Sequence, residues 1–122
     1  MKIRIQGNSV RYRLSRTEVE KLAKEGYLKE QTSFGPTSFT YIVKSDPEVA
    51  SLSASYLNGS ITLSVPATFA VDWADNNVVG FDNQMPLNEF DSLYLLIEKD
   101  FKCLDNVSED QSDNYENPNK TC

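Results

Sequence analysis

The sequence predicts an α+β fold, strand-rich and confined to a single domain. Three observations carry that reading. Apolar and polar residues alternate in short runs such as Val10, Tyr12, Leu14 and Ile61, Leu63, Val65, the period of a half-buried strand. Turn chemistry punctuates the runs at Gly7-Asn8, Gly35-Pro36, Asp46-Pro47 and Asn58-Gly59. Only two stretches, one after Ser15 and one after Pro66, space their apolar residues as a helix does.

The first element is a hairpin, with Ile3 and Ile5 before the Gly7-Asn8 turn and Val10, Tyr12 and Leu14 after it. Ser15 and Glu18 then form a capping box, and Leu14 and Val19 are spaced as the hydrophobic staple that fixes a helix start. Val19, Leu22 and Ala23 make the buried stripe, and Gly26 supplies the left-handed stop. Residues 28–34 alternate as a strand, Gly35-Pro36 turns it, and Phe39, Tyr41 and Val43 mark its return.

After Asp46-Pro47 the programme repeats. Leu52, Ala54 and Tyr56 lead into Asn58-Gly59, a strong hairpin signal because both residues tolerate positive φ. Ile61, Leu63 and Val65 continue the alternation, and Pro66 suits the first turn of a short helix whose apolar face is Phe69, Ala70, Trp73 and Ala74. Strands are expected over Val78 to Phe81 and Leu93 to Ile97. A shift of 51 residues lays the second half on the first without a gap from the first hairpin through the helix, and the final strands need about three more residues near Gln84 to Pro86. The expectation is a duplicated β-β-α-β-β unit, with pseudo-repeats over 1–45 and 50–100. Units this small need a shared core, as a pseudo-symmetric barrel or sandwich over residues 1–104. Residues 105–122 form an acidic C-terminal segment that Tyr115 and Asn117-Pro118 suggest folds back.

A strand, a helix opening on Pro or Ser, and a further hairpin resemble the swapped-hairpin family of small DNA-binding proteins. The resemblance rests on Ile61-Thr62-Leu63-Ser64-Val65-Pro66 and covers about 25 residues of each half. It implies DNA contacts by basic residues near the hairpin and helix, but the second half carries Ser, Thr and Asp there.

The 122 residues contain no histidine, which excludes Ser-His-Asp and Cys-His catalysis by this chain alone and any histidine-ligated metal. No phosphate-cradling glycine loop is present, and no apolar run reaches the roughly 18 residues of a membrane span. The start Met1-Lys2-Ile3-Arg4-Ile5 lacks a signal-peptide core, so a cytoplasmic protein is expected. The net charge of −6 hides an asymmetry. Eight basic and three acidic residues lie in 1–29, against four basic and fifteen acidic beyond it. Lys2, Arg4, Arg11 and Arg13 alternate on the first two strands and so share one hairpin face. That face suits an anion or partner patch, or is a solvated face paired with acids elsewhere. A net acidic chain weakens the case for nucleic acid.

Both cysteines lie near the C-terminus. A Cys103–Cys122 disulfide would close a loop of about 20 residues and contribute about 3 kcal/mol on the chain-entropy model, though a cytoplasmic setting opposes a permanent one. A zinc site would join Cys103 and Cys122 to Asp105, Asp110 or Asp113, with the wrong spacing and too few thiols for a structural zinc site. A buried Cys103 and a free terminal thiol is the plainer alternative. Glu98 and Asp100 are paired carboxylates near a strand end, and Trp73 belongs to the core.

Met1-Lys2-Ile3-Arg4-Ile5, Phe34-Gly35-Pro36, Glu98-Lys99-Asp100-Phe101-Lys102-Cys103-Leu104 and the acidic run ending in Asn117-Pro118-Asn119 and Cys122 resemble a family of small uncharacterised bacterial proteins. The resemblance implies a bacterial cytoplasmic protein whose cysteine-bearing segment belongs to the domain, and no activity. The functional expectation is a non-enzymatic binding or interaction module, acting through the Arg11/Arg13 hairpin side or the folded-back segment, with a protein partner or a second copy of itself. Its alternatives are a metal- or thiol-responsive protein using Cys103 and Cys122, and a nucleic-acid regulator using the basic hairpin.

Overall fold

The computed structural model describes residues 1–101 and 112–116. Along the chain these form β1 (Lys2–Ile5), β2 (Ser9–Leu14), α1 (Arg16–Glu25), β3 (Tyr27–Ser33), β4 (Ser38–Asp46), β5 (Ser53–Leu57), β6 (Ser60–Pro66), α2 (Ala67–Ala70), a 3-10 turn (Trp73–Asp75), β7 (Gly80–Pro86) and β8 (Ser92–Lys99). The fold is α+β and mostly strand.

Local chemistry explains the hinge points. Ser15 accepts the amide of Glu18 while its own amide donates to Glu18, so two of the unpaired donors at the start of α1 are satisfied reciprocally. Gly26 closes the helix at φ +74°, its amide donating to Leu22 at 2.9 Å. Asn58 and Gly59 both have positive φ, which matches the twist of β5 and β6 and makes a tight hairpin possible.

The eight strands form two four-stranded sheets, ordered β1-β2-β8-β7 and β3-β4-β6-β5. Each half of the chain thus gives one hairpin to each sheet. In both sheets the inner strands, β2 with β8 and β4 with β6, run parallel, and each outer strand is antiparallel to its neighbour. The registers correspond as well. Val10, Tyr12 and Leu14 stand opposite Leu95, Ile97 and Lys99, as Ile61, Leu63 and Val65 stand opposite Tyr41, Val43 and Ser45.

These inner strands supply most of one core. Val10, Tyr12, Leu14, Leu95, Ile97, Val43, Leu63 and Val65 pack with Val19 and Leu22 of α1 and with Trp73. Inner strands bury both edges, so their inward residues are the most apolar, whereas β1 and β3 leave most of their residues exposed. Neither sheet closes on itself, so the barrel alternative does not form.

Two boundaries differ from expectation. The strand expected from Val78 begins at Gly80, because the Val78 carbonyl accepts the Trp73 indole N–H at 2.7 Å and its amide donates to Asn76 Oδ1 at 3.0 Å. Pro66 ends β6 with extended backbone, just before α2 rather than inside its first turn. Among the described residues no helix is long and apolar enough to cross a membrane.

Candidate functional site

The inward phase of β8 runs Leu93, Leu95, Ile97 and then Lys99. The last of these carries an ammonium into a position that the pattern reserves for apolar side chains. Lys99 is 5% exposed. Its Nζ donates to the Asn76 carbonyl at 2.8 Å and lies 5.9 Å from the Trp73 ring centre and 4.9 Å from that of Tyr115. Among the described residues no carboxylate comes within ion-pairing distance of it. Burial pushes its pKa down, since removing an ammonium from water disfavours the charged form.

Three other elements meet at this point. Arg16, the first residue of α1, sets its guanidinium 5.1 Å from the Tyr115 ring centre. The 3-10 turn brings Trp73, fully buried, and then Asp75 and Asn76. The described part of the C-terminal segment, residues 112–116, returns to the sheet: the Tyr115 amide donates to the Asp100 carbonyl at 2.8 Å, and its ring packs 5.7 Å from that of Phe101. Asp113 locks this return onto the start of α1. Its carbonyl accepts the Arg16 amide at 3.1 Å and its carboxylate accepts the Thr17 hydroxyl at 3.0 Å. Hydrogen bonding from Ser15, with Thr17 and Arg16 adding to it, holds the Asp113 carboxyl below its ordinary pKa. The Tyr115 hydroxyl is buried without a hydrogen-bond partner among the described residues, and burial raises its pKa.

Lys99, Arg16, Phe101 and Tyr115 line a cavity of about 620 Å³ beside Glu20, Asp75 and Asn76, with Trp73 behind it in the core. The arrangement offers two cations, aromatic faces and polar donors in one concave place, as small-ligand sites do. Sequence reasoning does not single out Lys99, although its phase two residues beyond Ile97 is the signal that could find it. The convergence of Arg16, Asn76 and Tyr115 on it has no such signal, because no local pattern joins those three.

The structure places Lys2, Arg4, Arg11 and Arg13 on one face of the first hairpin. Lys2 stands opposite Arg13 and Arg4 opposite Arg11 in the β1–β2 ladder. Like charges directly opposite repel, and β8 relieves that. Glu98 accepts from Arg13 Nε at 2.7 Å and lies 3.8 Å from Arg11, and Asp100 pairs with Lys2 at 2.9 Å. Arg4 reaches Gln6 at 3.5 Å. Glu98 and Asp100, expected as a carboxylate pair, are the counter-charges of this hairpin. Cys103, Cys122, Asp105 and Asp110 lie outside the described residues. Asp113, the described member of that expected metal set, is engaged at the start of α1.

The model of a family of unknown function, DUF7009, matches residues 1–119. No curated protein and no solved structure matches the chain.

Proposed function

For this chain, which belongs to DUF7009, a family of unknown function, we propose the role of a non-enzymatic binding module that holds a small anionic ligand in the Lys99 cavity. The observation that carries the reading is the burial of Lys99 with one carbonyl acceptor and no described counter-charge. An ammonium has three donors, and two of them have no partner among the described residues, which leaves them to a ligand. The faces of Trp73 and Tyr115 offset part of the desolvation cost, about 0.5–2 kcal/mol each, and a bound carboxylate or phosphate would offset the rest.

The matching registers of the two sheets support this choice of site. We read the halves as copies of one β-β-α-β-β unit, in which Ser45 occupies the place that Lys99 has in the other copy. The scaffold accepts a serine there, so stability alone does not call for a lysine. The basic hairpin is the weaker candidate because Glu98 and Asp100 already face three of its four cations.

The test is a thermal-shift titration of the full chain with acetate, benzoate and inorganic phosphate, run beside Lys99→Met. Saturation by at least one of these anions in the wild type, absent in the variant, is the expected result. Equal shifts in both proteins, or none in either, would overturn the proposal.

A further inference from the structure

We infer that the Lys99 cavity takes a zwitterion: a small molecule with a carboxylate and a protonated amine, of the α-amino acid class. The inference rests on the anion-binding reading and deepens it. Charge in the cavity is divided by depth. The buried cation is Lys99, while the carboxylates Glu20 and Asp75 line the same cavity from exposed positions. Glu20 lies four residues after Arg16 on α1, so the two project from the same helical face, one cation and one anion a turn apart. Asp75 ends the 3-10 turn that also presents the Asn76 carbonyl to Lys99.

This division selects among ligands. A neutral apolar molecule would leave the buried ammonium without a counter-charge among the described residues. A dianion such as a phosphate monoester would satisfy Lys99 and Arg16 but bring its second charge towards Glu20, Asp75 and Glu116, which also lines the cavity. A carboxylate placed on the free donors of Lys99, with an ammonium directed outward to Glu20 and Asp75, meets both signs. Arg16 lies over the Tyr115 ring and lines the same cavity, where it adds to the field on the carboxylate.

The experiment is calorimetric titration of the full chain with pooled and then single L-α-amino acids. Their N-acetyl derivatives, their decarboxylated amines and inorganic phosphate complete the set. Each probe is taken to about 10 mM, tenfold above a millimolar dissociation constant. At least one amino acid is expected to bind, with its N-acetyl form and its amine each weaker by about tenfold or more. The double variant Glu20→Gln with Asp75→Asn is expected to bind the amino acid and its N-acetyl form alike, and Lys99→Met to bind neither. N-acetyl forms or phosphate binding as well as any free amino acid would overturn the zwitterion and leave the anion site standing. Binding of no anion at all would overturn both.

Discussion

Lys99 and Ser45 occupy matching positions in the two sheets: each stands opposite the last inward residue of its parallel neighbour, Leu14 for Lys99 and Val65 for Ser45. Each also donates its backbone amide at 2.9 Å to the residue that precedes the outer strand of its sheet, Lys99 to Val79 and Ser45 to Gly26. The backbone is treated alike at the two places, and only the side chains differ. That contrast separates what the fold needs at this position from what the lysine adds.

Lys99→Met should therefore make the protein more stable while removing ligand binding. A buried ammonium with one acceptor among the described residues is replaced by an apolar chain of similar length, and the lost cation–π contacts offset part of the gain. The expected net change is about 1 kcal/mol, or about 4 °C in Tm for a chain of this size. The linkage has the same sign. The folded-state pKa of Lys99 lies below its ordinary 10.5, so the unfolded chain binds more protons between those values. Wild-type stability should rise with pH through that window relative to Lys99→Met. A variant less stable than wild type at neutral pH would show that Lys99 serves the fold.

Gly80→Ala should destabilise the β7–β8 pair. A Cβ at this position would overlap the Ile97 carbonyl and come within 2.9 Å of Glu98 Cβ, and both lie on a fixed central strand. The cost expected for such overpacking is about 1–3 kcal/mol, read as a lower denaturant midpoint. Gly7→Ala is the control, since its neighbourhood is open and only its φ of +54° opposes a side chain; it should cost about 1 kcal/mol. Equal losses at the two sites would show that β7 can move away from β8.

What the sequence makes legible divides by how far apart the interacting residues lie. The capping box at Ser15, the Gly26 stop and the Asn58-Gly59 hairpin are read directly, because each depends on residues within one turn of chain. The start of β7 is not, since β-branched Val78 and Val79 look like strand until the Trp73 indole and Asn76 engage Val78. Parallel pairing of β2 with β8 joins residues more than eighty positions apart, and no local preference encodes it. The cavity inherits that distance: Arg16, Lys99 and Tyr115 meet only once the sheet has formed.

Glu98→Gln should unmask the basic hairpin. The carboxylate faces Arg13 and Arg11, and its neutral amide would leave both guanidinium groups available to phosphates. Duplex DNA at about 50 mM salt should retain the variant more strongly than the wild type, with the salt slope steeper by about 1–2. Tight, steeply salt-dependent DNA binding by the wild type would mean that the hairpin serves nucleic acid despite Glu98.

Acid should release residues 112–116 from α1 at a pH set by Asp113. The hydrogen bond from Ser15, then those from Thr17 and the nearby Arg16 charge, favour the carboxylate, so its pKa in the folded chain lies below the ordinary 3.8. A depressed carboxyl pKa stabilises above the unfolded value, and that stabilisation is lost as pH falls through the folded one. The docked segment should therefore stay intact down to pH 3.8 and detach below it. Amide chemical shifts of Arg16 and Tyr115, followed from about pH 6 to about pH 2, read this directly. Asp113→Asn should weaken the docking at neutral pH and remove the acid transition. A midpoint at or above 3.8, or an unchanged transition in Asp113→Asn, would place the control elsewhere than Asp113.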